Sequence, residues 1–380
     1  MRTTDDPWSA TTDSVRQSMR EQRGSGSDAV VATVVNVEES GYRRPGARMV
    51  VVPDGERLGA VTAGCITESV TETARRVSAS GTPRLETFDL RGGDADAWGL
   101  GLGCNGVIDV LVEPVDASFD PALSELREKR AATVLTAVET DDPATGVGDR
   151  TVITRGRGER LSKGRPDLPE AVVAEAESRL DGAASGAAAT LDVRTSDGDV
   201  RVFANDLAPT PELLVFGGHG DVNPVASLGA QAGFRVRVAA ARGAHADESR
   251  FPAASEVTAV HPAELAALVD APDHTYVVLM SHNFVDDRLA LESILGTEVP
   301  YVGVMGPRRR FDQLREAMVR KLDATDRERI AAPCGLDIGG DEPSTVGLSI
   351  VSELLAVHNG RGGARLTDRA GPIHGRPELG

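Results

Sequence analysis

Two of the chain's three cysteines stand in glycine-flanked turns, Cys65 in TAGCITES (62–69) and Cys104 in GLGCNG (101–106). Cys65 lies at the expected start of a helix, where free amides and their dipoles favour negative charge. Cys104 lies among glycines, which permit positive φ and let a ligand approach the main chain closely. A thiolate in such a setting can hold a soft metal, attack an electrophilic sulfur or carry sulfur. The spacing has no CxxC half and no paired histidines, which argues against a closed structural zinc site. The alternative is that both are small residues tolerated in tight turns.

A second set of candidates follows the strand ELLVF. The run VFGGHGDVNPVA (215–226) joins a strand to a helix through Gly217, Gly218, His219, Gly220 and Asp221. That is the context in which glycines admit a pyrophosphate to a helix start. The fingerprint is incomplete, because Asn223 occupies the third glycine position when the motif is read from Gly218. The next strand ends near Ala240 and is followed by Arg242, where a nicotinamide site places an acid for the ribose hydroxyls. NADP or another nucleotide-like anion suits this turn better than NAD, and a Rossmann-type domain without a dinucleotide is the competing reading. His282 follows another strand, and Gly306 and Arg308 follow the next, so all three loops are expected at the carboxyl edge of one sheet.

The elements that must hold these residues divide the chain. A tail with a short helix occupies 1–27. Strands around 29–40, 49–55, 56–65, 84–90 and 106–115, with a helix after Cys65, begin a mixed α+β domain over 28–206. A Rossmann-like parallel sheet is expected over 207–360, from its alternation of buried strands with helices. Within it, HPAELAALVD is expected to be helical, and RRRFDQLREAMVRKL to form one long helix. Residues 361–380 are expected to be disordered. The fold class is therefore α/β, with an α+β domain preceding a Rossmann-like domain.

Composition narrows the function. The 380-residue chain carries a formal net charge of −17, which opposes binding to nucleic acid. No run of apolar residues is long enough to cross a membrane, and no signal peptide is recognisable, so a cytoplasmic location is expected. Lysine occurs only at positions 129, 163 and 321, and this acidic, lysine-poor composition suits a halophilic microbe.

The motifs ESGYRRPGARMVVVPDG, GAVTAGCITESV, WGLGLGCNGVIDVLVEP, LLVFGGHGDVNPVA, YVGVMGPRRRF and GLDIGGDEPSTVGLSIVSELLAVHNG, in this order, resemble the xanthine dehydrogenase accessory family, XdhC/CoxI. The resemblance covers residues 28–360. It implies a maturation factor for a molybdenum hydroxylase of the xanthine or carbon monoxide dehydrogenase type, rather than a turnover enzyme. The implied cofactor is the molybdenum cofactor (molybdopterin), which the factor binds, helps to sulfurate and inserts. Cys65 and Cys104 would then be the thiols nearest the molybdenum or the transferred sulfur. Gly64, Glu68, Asn105, Arg43 and Arg44 would shape the same pocket. The implied partners are an apo-molybdenum hydroxylase and a cysteine desulfurase, with a homodimer as the candidate assembly. Ala63, where relatives carry glycine, and GPRRR, where relatives read Gly-Ser-Arg, are departures from the family pattern. The competing functions are an NAD(P)-dependent oxidoreductase acting through the glycine turn and a scaffold with no ligand.

Overall fold

A computed structural model describes residues 7–91, 106–180, 186–370 and 373. The chain forms two compact units, one ending at Pro209 and one spanning Thr210–Ile373.

The first unit uses one plan twice. Its first half runs α1 (Thr12–Ser25), β1 (Val30–Glu39), β2 (Arg48–Val51), β3 (Arg57–Gly59), α2 (Thr67–Ser80), β4 (Arg84–Asp89) and β5 (Gly106–Pro114). Its second half runs α3 (Asp120–Arg127), β6 (Ala132–Thr140), β7 (Arg150–Thr154), β8 (Arg160–Leu161), α4 (Glu170–Leu180), β9 (Ala188–Arg194) and β10 (Asp199–Leu207). Each half makes one antiparallel five-stranded sheet, ordered β3-β2-β1-β5-β4 and β8-β7-β6-β10-β9.

The irregularities repeat as well. Gly26 after α1 and Lys129 after α3 are both left-handed, at φ 68° and 58°. Gly46 and Gly148, two residues before β2 and β7, have φ 93° and 91°. Their amides donate to matching carbonyls, Val34 and Ala137. Pairing with the long partner strand then skips one residue in each half, Val35 and Val138. These two valines meet, together with the matched pair Leu111 and Phe203, in one buried cluster. Positions that touch their own counterparts are the mark of a local two-fold relation.

The helix expected in an N-terminal tail is part of this unit. Val15 and Met19, one turn apart on α1, are buried against Val31, Val50 and Phe119. Gly81 ends α2 in the left-handed region, its amide bonded to the Val77 carbonyl. The strand expected to run up to Cys65 stops at Gly59, and residues 60–66 are a loop.

The second unit contains β11 (Glu212–Phe216), α5 (Val222–Gln231), β12 (Arg235–Ala240), β13 (Glu256–Ala259), β14 (Thr275–Leu279), α6 (Phe284–Ile294), β15 (Tyr301–Val304), α7 (Arg308–Ala317), α8 (Ala324–Arg329), β16 (Ile330–Ala331) and α9 (Pro343–His358). Its strands are all parallel, in the order β13-β12-β11-β14-β15-β16. Counted within the unit this is 3-2-1-4-5-6, the Rossmann order, with its switch point between β11 and β14. Apolar clusters cover both faces, one centred on α5 and α9 and one on α6 and α7. That two-sided burial is why strands such as ELLVF are buried at every position.

Two expected helices differ. HPAELAALVD folds as a 3-10 helix over Pro262–Leu268. The long helix after Pro307 ends at Ala317, because Met318 turns to an extended ψ of 144°. Beyond it the buried carboxylate of Asp326 binds Arg320 and Arg329, each at 2.8 Å, and its backbone amide is capped by Asp323. These bonds require a second helix start instead of continuation. Residues 361–370, expected to be disordered, make an exposed run with one 3-10 turn, and Gly363 lies against Leu336. Among the described residues no helix is long and apolar enough to cross a membrane.

Candidate functional site

The first site lies at one end of the first sheet. β1, β3 and β4 run out there, and β2 and β5 begin there, as the antiparallel registers require. Three candidate segments therefore leave the sheet at the same end: the turn 41–47 with Arg43 and Arg44, the loop 60–66 with Cys65, and the stretch between Asp89 and Gly106. Cys104 and Asn105 lie outside the described residues. Gly106, which follows them, pairs with Glu39, and a Cβ there would fall 2.3 Å from the Glu38 carbonyl. Only glycine fits at that point.

Cys65 is half-buried and packs against the core of valines and Ile66 beneath α2. Gly64 reaches φ 119°, which favours glycine, and its amide is held by the buried Thr62 hydroxyl at 3.2 Å. Ile66 stands at the N-cap of α2 and supplies no side-chain acceptor. The Thr67 amide, two residues after the thiol, bonds the Gly64 carbonyl at 3.2 Å, so the amides left without a partner among the described residues at this helix start are those of Glu68 and Ser69. Glu68, expected to shape the pocket, is mostly exposed and forms an ion pair with Arg57 at 2.8 Å. Arg43 is half-buried and Arg44 exposed.

Trp8 was not anticipated. Its ring lies 3.7 Å from where a Gly64 Cβ would stand, and the residue remains 48% exposed. It arrives on a 3-10 turn (Pro7–Ser9) that packs on β3. A half-exposed indole against Gly64, the residue before the thiol, gives a planar ligand an apolar face to stack on. The signal in the sequence was the rarity of tryptophan, one of two in the chain, but its place in an apparent tail concealed it.

The second site is the switch-point crevice of the second unit. Here Gly217 and Gly218 are needed for space, not for left-handed backbone. A Cβ on Gly217 would meet the Met280 carbonyl at 2.8 Å, and one on Gly218 would meet the His245 Cβ at 2.6 Å. Gly220 faces open space. His219, His245 and His282 gather over the turn, with ring centroids 5.3 and 5.6 Å from His219. His282 is held in the left-handed region, φ 61°, a strained conformation for a residue with a Cβ. Its Nε2 meets Asp221 Oδ2 at 2.6 Å, while the buried Asp221 Oδ1 has no partner among the described residues.

Two guanidinium groups at this sheet edge are engaged with carboxylates. Arg242 pairs with Asp286 at 3.1 Å. Arg310 pairs with Asp287 at 2.7 Å, and the same buried carboxylate accepts from the Ser281 hydroxyl and amide. Asn283 caps α6 through two amides. Gly306 has φ 116° and sits against Arg310; Arg308, at the first position of α7, is exposed. Among the described residues no group of three or more His, Cys, Asp or Glu is disposed to hold a metal ion. Cys334 is half-buried beside Tyr301 and Glu353, and desolvation of its thiol pushes it up to about 12, which keeps it protonated at neutral pH.

Comparison with known proteins agrees with both units. The family model described as the XdhC and CoxI family matches residues 22–89, and the XdhC Rossmann domain matches 213–354. A Bacillus subtilis protein named as a probable subunit of xanthine dehydrogenase is 27% identical over 335 residues, 86% of this chain and 92% of that protein. The Escherichia coli "Molybdenum cofactor insertion chaperone PaoD" is 24% identical over 338 residues, 88% of this chain and 84% of that one. A crystal structure described as a xanthine dehydrogenase from Bacillus halodurans shares the fold, with a TM-score of 0.73 at 24% identity over 91% of this chain and 96% of that one. With matched motifs in both units and the Rossmann strand order in the second, the chain belongs to the XdhC and CoxI family.

Proposed function

We propose that this protein is a maturation factor that receives the molybdenum cofactor, supports its sulfuration and passes it to an apo-molybdenum hydroxylase. Family membership and the relative named as a cofactor insertion chaperone support the reading. The observation that carries it is the end of the first sheet, where the segments bearing a half-buried thiol, a helix start without a side-chain cap and an arginine turn leave the strands at one end, with a half-exposed indole against Gly64. These residue types suit the cargo in kind. Molybdenum and transferred sulfur have affinity for thiolates. A pterin ring stacks on an aromatic face. A phosphate is drawn to amides and guanidinium groups.

In this proposal Cys65 and Cys104 are the thiols nearest the metal or the transferred sulfur. Arg43, Arg44, Gly64, Glu68 and Asn105 complete their pocket. The Gly217–Asp221 turn, with His219, His282, Gly306 and Arg308, is a separate site in the second unit for a phosphate-bearing group. A cysteine desulfurase as sulfur donor, a homodimer and a cytoplasmic site of action belong to the same proposal.

The second reading is an NAD(P)-dependent oxidoreductase, favoured by the Rossmann strand order and the open Gly220. Against it stand the Arg242–Asp286 ion pair and the run Ala240, Ala241, Arg242 where ribose-binding sites carry an acid. The two readings part in one experiment. Protein purified from cells that make the cofactor is oxidised and its pterin fluorescence and molybdenum content are measured, in parallel with titration of NADPH. Near-stoichiometric pterin that falls in a Trp8→Ala variant supports the maturation role. Saturable NADPH binding with no pterin would overturn it.

A further inference from the structure

The repeat in the first unit exposes a charge that its symmetry leaves unbalanced. Arg150, the first residue of β7, is buried, forms an ion pair with the buried Glu113 on β5, and stacks over the Phe119 ring at 4.1 Å. Its counterpart by the repeat is Arg48, the first residue of β2. The counterpart of Glu113 is Asn205, since Leu111 matches Phe203 along the paired strands. The counterpart of Phe119 is Arg16, counting back from the matched left-handed residues Gly26 and Lys129. One half thus gives its arginine a carboxylate and an aromatic ring. The other offers a neutral amide and a second arginine.

Arg16, Arg48 and Arg150 line one small cavity with Met19, Phe119 and Leu207, of about 10 Å3. That is room for one water-sized centre. Arg16 is 8% exposed and Arg48 is half-buried, with its Nε inside; one terminal nitrogen of Arg16 donates to the Ala208 carbonyl at 2.9 Å. The Nε of Arg16 and the Nε of Arg48 are buried without a hydrogen-bond partner among the described residues, as is Nδ2 of Asn205. Burial lowers both guanidinium pKa values to about 10, which still leaves both groups charged at neutral pH. Burial pushes the Glu113 carboxyl up, against the opposing pull of Arg150. Whether that carboxyl is ionised or not, positive charge is in excess around the cavity. Nearby Arg165 is already neutralised by Asp116 at 2.7 Å. An unpaired buried charge costs several kcal/mol, and a buried unsatisfied donor calls for a water or an ion.

We propose that this cavity is a structural binding site for a single small inorganic anion, a halide such as chloride, held by Arg16, Arg48 and Arg150. The ion supplies the negative charge that Glu113 supplies to the other half, and it binds the folded unit only. Its role is separate from cofactor handling, so the proposal survives if the maturation reading fails.

The test is thermal unfolding of the full chain at constant sodium and ionic strength, with chloride replaced stepwise by gluconate, which is too large for the cavity. Wild type is expected to gain a few degrees in Tm as chloride rises, with saturation. Arg48→Met is expected to lose that dependence, and to be at least as stable as wild type in gluconate, because it removes the unbalanced charge. Asn205→Glu, which restores the missing carboxylate, is expected to lose it too. A crystal of wild-type protein soaked in bromide is expected to show an anomalous peak between Arg16, Arg48 and Arg150, which decides the matter if either variant fails to fold. Equal Tm in chloride and gluconate, an unchanged chloride response in a folded Arg48→Met protein, or no bromide peak in the cavity would each overturn the proposal.

Discussion

The two halves of the first unit share element order, strand order, turn geometry and even the residue at which pairing slips, yet they differ in what their turns carry. In the first half the loop before the second helix holds Gly64 and Cys65; in the second half the same loop reads SKGRPDLP and holds no thiol. The last two strands of the first half are separated by residues 90–105, which include Cys104. Those of the second half are joined by the four residues 195–198. The turn before β2 carries Arg43 and Arg44, while the turn before β7 carries Asp141, Asp142 and Asp149. The β-sheet plan is therefore a generic platform, and the chemistry resides in loops that one copy has elaborated.

The largest test of that asymmetry compares matched loops. Cys65→Ala is expected to lower activation of a co-expressed molybdenum hydroxylase by more than tenfold, with Tm within about a degree of wild type because the thiol is only half-buried. Lys163→Ala, in the matching loop of the second half, breaks only an exposed pair with Asp120 and should leave activation unchanged. Equal losses in the two variants would mean that the halves share the function.

Stability should show the opposite bias at the matched arginines. Arg150→Met strands the buried Glu113 and is expected to cost roughly 3 kcal/mol by denaturant titration. Arg48→Met leaves no carboxylate behind and should cost less. A smaller contrast is expected at the matched glycines. Both have positive φ, so alanine strains both by about 1 kcal/mol. A Cβ at position 148 would also press on the Pro83 ring at 2.8 Å, whereas one at 46 has ordinary contacts at 3.6 Å. Gly148→Ala should therefore lower Tm more than Gly46→Ala.

The smallest expected effect separates the two units by pH. Six of the seven histidines lie in the second unit, and the seventh, His374, lies outside the described residues. His358 is exposed at its rim, but its ring packs edge-on against Phe234 and Tyr276 and bonds the Tyr276 hydroxyl at 3.0 Å. Desolvation there, with a smaller contribution from His274, holds its pKa below the ordinary 6.5. A histidine that is harder to protonate when folded favours the folded state at high pH. That contribution is complete above about pH 6.5 and is lost as pH falls through the depressed folded value. Hydrogen exchange between pH 7 and 5.5, corrected for its intrinsic pH dependence, should show loosening around α9. Strands β1 and β6 should be unaffected, and His358→Gln should abolish the difference.

Much of this architecture was legible in the sequence. The valine-rich run 29–38, the stop at Gly81, the hairpin at 195–198 and the buried strands ELLVF and TYVVL follow from period, propensity and turn chemistry. What was not legible depended on partners distant along the chain. The break at Met318 is enforced by Asp326 and its arginines. The engagement of Arg242 comes from Asp286 on α6, and the placing of His245 over Gly218 comes from a short 3-10 turn. The internal repeat left almost no trace in residue identity beyond a Gly-x-Arg at 46–48 and 148–150, because a β-platform constrains pattern and backbone conformation rather than side chains. Trp8 and α1 were set apart from the fold because their flanks are polar, although Val15 and Met19 already marked a buried helical face.

The central claim is that this protein hands on a cofactor through the thiol end of its first sheet. It is tested most directly by mixing purified protein, loaded with molybdenum cofactor, with an apo-hydroxylase and following the appearance of hydroxylase activity. Wild-type protein should restore activity faster than an equal amount of free cofactor, and protein with Cys65→Ala and Cys104→Ala together should not. Equal restoration by wild type, by the double variant and by free cofactor would contradict the account.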